Sequence, residues 1–239
     1  MKEKILKKSN KIVIIPAHNE AGNIGLLINN IYALGIGISV LVIDDNSSDD
    51  TSGIVRNLQE VYPNLYILIQ EKRMGLGRAY ALGFNYALEN GYEVVMQMDA
   101  DLSHDPSYLI PMINLLKNND LVIGSRYVEG GGVEGCSYFR VGLSRWANFL
   151  SRYMLKLSIK DITSGFKCMN RKVLGSINCS SINSEGYAFQ IEMVRHVYSS
   201  GFRIIEYPII FKERNYGKSK MNFSVVIEAI LKLVFLSIK

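Results

Sequence analysis

Apolar runs of strand length alternate with segments of helical periodicity through the first half of this chain, and this alternation constrains the fold more than any other feature. The runs are bounded by turn residues and lie at 11–17, 39–45, 65–70, 92–99 and 120–125. Between the first two, Ile24, Leu27, Ile28 and Ile31 keep the spacing of an amphipathic helix. Continuously apolar strands that alternate with helices are typical of an α/β fold, in which helices cover both faces of a mostly parallel sheet.

The second half of the chain has a different order of elements. A glycine-rich loop at 128–135 precedes a predicted helix at 140–158, and a second helix near 185–200 leads into a predicted strand at 203–211. Because no linker or internal repeat interrupts this order, we expect a single domain over residues 1–222.

Residues 223–239 form an apolar segment that Glu228 and Lys232 interrupt. The pattern predicts an amphipathic helix at a membrane interface or against a partner, and it fits equally well a helix that closes the protein's own core. No stretch reaches the ~18 apolar residues of a membrane span. The N-terminus also lacks the apolar core of a signal peptide.

The chain of 239 residues carries a formal net charge of +5, and basic residues concentrate at both ends. Such a balance favours an anionic partner, whether nucleic acid, a phosphorylated small molecule or an acidic membrane surface. A hydrophobic content of 48% argues against disorder. The three cysteines form no CxxC pair, which argues against a disulfide framework or a zinc site and indicates a reducing, cytosolic compartment.

Carboxylates follow three of the predicted strands. They are Glu20, Asp44, Asp45, Asp99 and Asp101. Because parallel strands end at one edge of a sheet, these acids are expected to meet in a common cleft. Asp99 and Asp101 point the same way if the strand continues, so their mutual repulsion calls for a bound cation, and carboxylate oxygens suit Mg²⁺ or Mn²⁺. Asp105 is instead expected to cap the helix that begins near Pro106.

Groups that bind anions come from later parts of the chain. They are Arg126, Arg140, Ser144, Arg214, Lys218 and Lys220. Arg140 and Ser144 are four residues apart and share a helical face. A guanidinium grips phosphate bidentately, whereas a lysine supplies a point charge. An acidic metal site beside such cations predicts a protein that handles two phosphorylated ligands.

Several blocks of sequence, in a fixed order, carry a resemblance to a known family. They are IIPAHNE (14–20), LVIDDNSSDDT (41–51), GLGRAYALGF (75–84), MDADLSHDP (98–106), IGSRY (123–127), DITSGFKCMNR (161–171), GYAFQIEM (186–193) and ERNYGKSKM (213–221). Together they resemble the inverting GT-A glycosyltransferases of family 2, specifically the dolichyl-phosphate (polyprenyl-phosphate) mannosyltransferases. The resemblance runs from about Lys11 to Asn222, nearly the whole chain.

The resemblance implies a GT-A fold with a Rossmann-like nucleotide-sugar half at about 11–125 and an acceptor half at about 126–222. The residues that the resemblance places at the nucleotide sugar are Pro16, Ala17, Glu20, Asp44, Asp45, Asp99 and Lys220. It places Asp99 and Asp101 on the metal, and Arg126, Arg140 and Ser144 at the acceptor phosphate. It assigns catalysis to Asp101, Arg126 and Arg214.

The implied reaction moves a hexose onto a polyprenyl or dolichyl phosphate with inversion and with Mg²⁺ or Mn²⁺ as cofactor. Mannose from GDP-mannose is the expected donor, and glucose from UDP-glucose is the runner-up. The membrane-spanning tail of many relatives has no counterpart here. Two expectations follow: either the protein is peripheral at the cytoplasmic face of a membrane, with or without a small membrane-protein partner, or the chain is a shortened one. The aromatic array of a nucleic-acid reader is lacking, so no nucleic acid is expected to bind.

Three alternatives depend on weaker signals. GLSRW (142–146) is similar to the QxxRW signature of processive polysaccharide synthases but has Gly142 in the first position. GLGRAY (75–80) follows a strand as a dinucleotide fingerprint does, yet Tyr80 stands where Gly or Ala is required. A non-enzymatic membrane-surface binder would explain the charge and leave the acidic strand ends unexplained.

Overall fold

The structure, a computed structural model, describes residues 9–177 and 186–214, except the side chain of Tyr187. The strands are β1 (Lys11–Ala17), β2 (Ser39–Asp44), β3 (Leu65–Ile69), β4 (Val94–Gln97), β5 (Leu121–Ser125), β6 (Gly132–Glu134), β7 (Lys167–Asn170), β8 (Ile204–Pro208) and β9 (Ile210–Lys212). The α-helices are α1 (Ile24–Ala33), α2 (Thr51–Gln59), α3 (Leu76–Glu89), α4 (Leu109–Leu115), α5 (Tyr138–Leu155), α6 (Arg171–Ser176) and α7 (Gly186–Ser199). The predicted helix at 223–239 lies outside the described residues.

The main sheet has the strand order β3-β2-β1-β4-β7-β5-β8. Strands β1 to β4 run parallel, and β7 is antiparallel to both of its neighbours, β4 and β5. Since β8 is parallel to β5, every strand of this sheet except β7 points the same way. The carboxyl ends of β1, β2, β4 and β5 therefore share one edge, where ligands bind in such sheets. The predicted α/β fold with a mostly parallel sheet is confirmed.

The two faces of the sheet are covered by different helices. On β1, Ile12 and Ile14 belong to a buried cluster that includes residues of α3, α6 and α7, while Val13 and Ile15 pack with α1, α2 and α4. This alternation follows from the two-residue period of a strand. Burying each aliphatic side chain stabilises the fold by roughly 1.5–3 kcal/mol. α3 lies especially close to β1, because a Cβ atom on Gly83 would come within 2.5 Å of Ile14 Cγ2.

The predicted strand at 203–211 is divided into two strands in different sheets, so the prediction of one strand is wrong. β8 ends at Pro208 in the main sheet, and β9 pairs in parallel with β6 in a two-stranded sheet. Proline has no amide hydrogen to continue a ladder. The next residue, Ile209, donates its amide to Ser125 O and accepts from Gly132 N, both at 3.0 Å. This switch carries Glu213 and Arg214 toward the edge where β4 ends.

Helix α5 begins two residues before the predicted boundary and ends three before it. Ser137 is the N-cap, and its Oγ accepts the Arg140 amide at 3.4 Å. Lys156 ends the helix in a left-handed conformation with φ of 52°. Nowhere in the described ranges is a helix both long enough and apolar enough to cross a membrane.

Candidate active site

The first predicted site segment follows β1. Pro16 lies in the central strand β1, where a residue without an amide hydrogen normally interrupts the hydrogen bonds to a neighbouring strand. Proline is tolerated here because the pairing of β1 with β4 stops at Ile14. Ala17 O accepts the amide of Asp45 at 2.8 Å, which ties the end of β1 to the end of β2. Glu20 is buried and its Oε2 accepts Asn23 Nδ2 at 2.8 Å. The structure thus brings these predicted residues to one edge.

Asp44 and Asp45 at the end of β2 hold two different loops. Asp44 Oδ1 accepts the amide of Ser47 at 2.8 Å, and its Oδ2 accepts the Ser52 hydroxyl. Asp45 accepts the amides of Met74 and Gly75 at 2.7 and 2.9 Å, just before α3 begins. Both carboxylates therefore shape the loops that surround the predicted nucleotide site. Their contact with a nucleotide stays a prediction.

The second acidic segment follows β4. Asp101 is buried, and its Oδ1 accepts the Ser103 amide at 3.1 Å as well as the Ser103 hydroxyl. Its Oδ2 lies 3.0 Å from Nη2 of Arg214. Burial, and to a lesser degree the charge of Asp101, raise the pKa of Asp99, as expected of a carboxylate that is partly removed from water beside a second one. Asp105 is the N-cap of the 3₁₀ turn Pro106–Tyr108, as predicted.

His104 lies beneath Asp99 in a nearly closed environment. Its ring stacks on Phe166 with centroids 4.9 Å apart and meets Phe211 edge-on at 5.6 Å. Nδ1 accepts the amide of Asp99 at 3.3 Å, which requires the unprotonated nitrogen. Burial lowers the pKa of His104, in agreement with a neutral ring. The histidine therefore fixes the backbone at Asp99 without adding charge.

The carboxylates at this edge suit a hard divalent cation whose other ligands are not protein side chains. Asp99 and Asp101 supply carboxylate oxygens, and the side chain of Asp99 is 35% exposed. In the part of the chain that the structure describes, no group of three or more acidic, histidine or cysteine side chains forms a complete cage. Mg²⁺ and similar ions are commonly held by one or two carboxylates, with water and phosphates completing the shell.

Gly165 completes the wall around Asp99. A Cβ atom at this position would lie 3.0 Å from Asp99 Oδ1, closer than most side-chain contacts allow. A side chain at residue 165 would therefore press on the carboxylate, and glycine lets the loop before β7 lie against it.

Arg126, after β5, forms a buried bidentate ion pair with Asp161. Its Nε and Nη2 donate to the two carboxylate oxygens, both at 2.7 Å, and Nη2 also donates to Thr163 Oγ1 at 2.9 Å. The Arg126 side chain is 10% exposed and that of Asp161 is 0% exposed. Arg126 was predicted to receive the acceptor phosphate, and nothing in the sequence had indicated this acidic partner.

The other two predicted acceptor residues lie on α5. Nη1 of Arg140 pairs with Oε1 of Glu213 at 2.5 Å. Ser144 accepts a hydrogen bond of 2.7 Å from the hydroxyl of Tyr127, the residue after Arg126. The structure therefore links Arg140 to the segment that carries Arg214, and Ser144 to the segment that carries Arg126. Lys220, predicted at the nucleotide sugar, lies outside the described residues, and so does Lys218.

Sequence reasoning gave no role to Lys167, which lies in β7 opposite Gln97 of β4. Its side chain is completely buried, and Nζ donates to Ser164 O and to Gln190 Oε1. Burial lowers the pKa of Lys167 to about 7, although the nearby charges of Asp161 and Asp99 oppose the shift. The signal that was available was a lysine directly between two residues, Phe166 and Cys168, that are apolar and buried.

The low pKa of Lys167 predicts a measurable pH dependence of stability. An unfolded lysine titrates near 10.4, so between pH 7 and pH 10 the unfolded chain binds a proton that the folded chain has released. The free energy of unfolding should therefore rise with pH in this window, by up to about 1.4 kcal/mol per unit. Lys167→Met removes this term. Denaturation in urea at pH 7 and pH 9 should show the wild type gaining about 2 kcal/mol relative to the variant.

Lys117→Met is the matched control, because Lys117 is exposed in the turn after α4. The free energy of unfolding of Lys117→Met should differ from that of the wild type by the same amount at both pH values. An equally constant difference for Lys167→Met would contradict a depressed pKa in the folded protein.

Comparisons with known proteins agree with this geometry. The family model described as "Glycosyl transferase family 2" matches residues 12–177. The chain is 39% identical over 224 residues to a polyprenol monophosphomannose synthase of Mycolicibacterium smegmatis, covering 93% of this chain and 84% of that protein. It is 36% identical over 222 residues to an undecaprenyl-phosphate mannosyltransferase of Micrococcus luteus, covering 93% and 91%.

Solved structures share the fold at lower identity. Glucosyl-3-phosphoglycerate synthase of Mycobacterium tuberculosis, solved with Mn²⁺, UDP and glucosyl-3-phosphoglycerate, gives a TM-score of 0.70 at 19% identity and covers 96% of this chain and 80% of its own. A mannosyltransferase of Pyrobaculum calidifontis with GDP-mannose and Mn²⁺ gives 0.59 at 20% identity, with coverage of 89% and 59%. The family model matches more than half of the chain, and two relatives are similar along nearly its whole length. This chain therefore belongs to glycosyl transferase family 2.

Proposed function

We propose that the protein transfers mannose from GDP-mannose to a polyprenyl phosphate, with inversion at the anomeric carbon. The observation that carries this proposal is its similarity, over 93% of the chain, to proteins named polyprenol monophosphomannose synthase and undecaprenyl-phosphate mannosyltransferase. The arrangement of acids and cations at the carboxyl edge of the sheet supports it independently, because both substrates are phosphorylated.

The donor half of the reaction involves the ends of β1, β2 and β4. Asp44 and Asp45 shape the loops that would enclose the nucleotide, with Pro16, Ala17 and Glu20 beside them. Asp99 and Asp101 would hold Mg²⁺ or Mn²⁺, which neutralises the charge that grows on a diphosphate leaving group. Arg214, 3.0 Å from Asp101, is close enough to this position to offer a second positive charge to the same phosphates.

The acceptor half involves Arg126, Arg140 and Ser144. A phosphate monoester is already anionic near pH 7, so the nucleophile needs no general base and we assign none. The task of these residues is to hold the phosphate on the side of the sugar opposite the leaving diphosphate, against the repulsion between the two anions. Arg126 suits this task because Asp161 and Thr163 fix its guanidinium in one orientation.

The place of the reaction and its partners belong to the same proposal. We place the protein at a membrane surface as a peripheral protein, because a nucleotide sugar is water-soluble and a polyprenyl phosphate is not. We choose the cytoplasmic face because the cysteine pattern of the sequence indicates a reducing compartment. Residues 11–125 would form the nucleotide-sugar half and 126–222 the acceptor half of one domain. Lys220 at the nucleotide sugar, the amphipathic helix at 223–239 and a small membrane-protein partner remain predictions from the sequence.

Mass spectrometry of the lipid product tests the proposal. The full chain is incubated with a short polyprenyl phosphate and Mn²⁺, and GDP-mannose, UDP-glucose and UDP-N-acetylglucosamine are supplied in separate reactions. A hexosyl-phosphoprenol from GDP-mannose alone is the expected result. Product from UDP-glucose alone would overturn the choice of sugar, and no product from any donor would overturn the acceptor.

A further inference from the structure

Helix α5 carries Arg140 and Ser144, two of the predicted acceptor residues. In the part of the chain that the structure describes, the buried side chains of this helix are those of Asn148 and Ser151, both polar. The α5 side chains that pack against the two apolar cores are partly buried and belong to its last two residues. Ser151 donates to Ala147 O of its own helix at 2.8 Å. Asn148 is therefore the buried residue that can fix α5 against the rest of the protein.

The side chain of Asn148 joins α5 to the loop at 161–165. Its Oδ1 accepts the amides of Ile162 and Thr163 at 2.9 and 3.3 Å. Its Nδ2 donates to Thr163 Oγ1 at 2.9 Å and to Ser144 O at 3.0 Å. A side-chain amide has two donor hydrogens and two acceptor positions, so these four bonds use its full capacity. They also determine its orientation, because only the oxygen can face the two backbone amides.

The loop at 161–165 also holds the guanidinium of Arg126. Thr163 Oγ1, which accepts from Asn148, accepts Nη2 of Arg126 at 2.9 Å as well. Asp161 accepts Nε and Nη2 of the same guanidinium, both at 2.7 Å. One hydroxyl group thus lies between Asn148 and Arg126. The place of α5 relative to Arg126 is set through this loop.

Two further contacts join α5 to the same region, and both are open to water. The Tyr127 hydroxyl donates to Ser144 Oγ at 2.7 Å, and both residues are half-buried. The ion pair of Arg140 with Glu213 has side chains that are 33% and 38% exposed, so water and salt weaken it. Each contact occupies a residue that is predicted to bind the phosphate. A phosphate that displaced both contacts would leave the bonds of Asn148 in place.

We propose that Asn148 is a positioning residue for the acceptor phosphate. It holds α5 at a fixed place relative to Arg126, so that Arg140 and Ser144 meet the phosphate together with that guanidinium. Asn148 touches no substrate and acts through Thr163 and through the place of the helix. A displacement of about 1 Å between groups that hold a reacting ligand can lower a rate about 100-fold. The inference rests on the proposed function, because it explains how the acceptor of that reaction is held.

Steady-state kinetics of Asn148→Ala test the proposal with the full chain, a short polyprenyl phosphate, GDP-mannose and Mn²⁺. The substitution should lower kcat/KM for the polyprenyl phosphate about 100-fold, because α5 loses its buried connection to the loop at 161–165. Calorimetry should show GDP binding with Mn²⁺ as in the wild type, because the predicted donor residues follow β1, β2 and β4. An unchanged kcat/KM for the acceptor, or an equal loss of GDP binding, would overturn the positioning role.

Asn119→Ala is the matched control. Nδ2 of Asn119 donates to Leu115 O, four residues earlier, at 2.8 Å, just as Asn148 donates to Ser144 O. Asn119 lies just before β5, at the edge of the sheet opposite to the site. The kinetic constants of Asn119→Ala for both substrates should be those of the wild type. A loss comparable to that of Asn148→Ala would assign both effects to general stability and contradict the proposal.

Two substitutions of Thr163 keep the proposal testable if Asn148→Ala does not fold. Thr163→Val keeps the shape of the side chain and removes the hydroxyl that Asn148 and Arg126 share, while both backbone amides still reach Asn148. It should lower kcat/KM for the polyprenyl phosphate about 10-fold, the scale of one hydrogen bond to a charged group. Thr163→Ser keeps the hydroxyl and should retain wild-type kinetics. Equal kinetics of Thr163→Val and Thr163→Ser would overturn the connection from Asn148 to Arg126.

The double variant Asn148→Ala/Thr163→Val shows whether the two residues act through one connection. Its loss of kcat/KM for the polyprenyl phosphate should be smaller than the product of the two single losses, because both substitutions break the same hydrogen bond. Losses that multiply would mean that the residues act independently, and Asn148 would then not act through Thr163.

Product formation by the wild type separates this inference from the proposed function. Product from GDP-mannose, together with wild-type kinetics of Asn148→Ala, would overturn the positioning role and leave the proposed function standing. No product from the wild type would overturn the proposed function and, with it, the role of Asn148 at the acceptor. Hydrogen exchange without substrate tests the contacts themselves. The amides of Ile162 and Thr163 should exchange faster in Asn148→Ala than in the wild type, and equal exchange would remove the basis of the proposal.

Discussion

Replacing Asp101 by asparagine is expected to lower the proposed mannosyl transfer by at least about 100-fold, the scale that follows when one group that stabilises developing charge is removed. Asparagine keeps the size of the side chain and one acceptor oxygen but loses the negative charge. The substitution removes half of the carboxylate pair that would hold the divalent cation, and it removes the partner of Arg214, which lies 3.0 Å from Asp101 Oδ2. Product formation by mass spectrometry gives the rate.

Nucleotide binding provides the second measurement on Asp101→Asn. Calorimetry with GDP should show that Mn²⁺ strengthens binding to the wild type and has little effect on the variant, because a cation couples the carboxylates to the diphosphate. Asp105→Asn is the control from the same loop, since Asp105 caps the 3₁₀ turn and contacts Ser107 N. Wild-type transfer by Asp101→Asn would remove Asp101 from the metal site.

The parallel half of the fold could be predicted from the sequence because its strands are buried on both faces. Strands in this position are continuously apolar and short, as at Ser39–Asp44. Turn residues and helical spacings between such runs then leave few arrangements other than a sheet covered by helices. The acids at the strand ends came together for the same reason, since parallel strands bring all their carboxyl ends to one edge.

The remaining features depend on contacts between residues that are far apart in the chain. Asp161 pairs with Arg126 across 35 residues and Arg140 pairs with Glu213 across 73. No local pattern specifies such partners. The division of the predicted strand at Pro208 could not be seen in the sequence, because the apolar run continues through both β8 and β9. The change of sheet depends on the positions at which Ser125 and Gly132 form hydrogen bonds with the chain.

Replacing Asp161 by asparagine is expected to lower the free energy of unfolding by about 3–5 kcal/mol, the cost of breaking a buried ion pair by removing one partner. The carboxylate is fully buried and accepts three hydrogen bonds from Arg126, at 2.7, 2.7 and 2.9 Å. Asparagine has one oxygen and no charge, so the guanidinium stays buried without compensation. Urea denaturation measures the loss, and Asp105→Asn should lose no more than about 1 kcal/mol, the usual scale for a cap.

A double substitution separates the structural role of Arg126 from its proposed role at the acceptor phosphate. Arg126→Met/Asp161→Leu replaces the ion pair by apolar side chains, an exchange that is often neutral or stabilising. The double variant should therefore be more stable than Asp161→Asn alone. If Arg126 receives the acceptor phosphate, transfer to the lipid stays low in this stable protein, while GDP still binds with Mn²⁺. If transfer returns together with stability, Arg126 only supports the loop after β5, and the phosphate must be held by other groups such as Arg140.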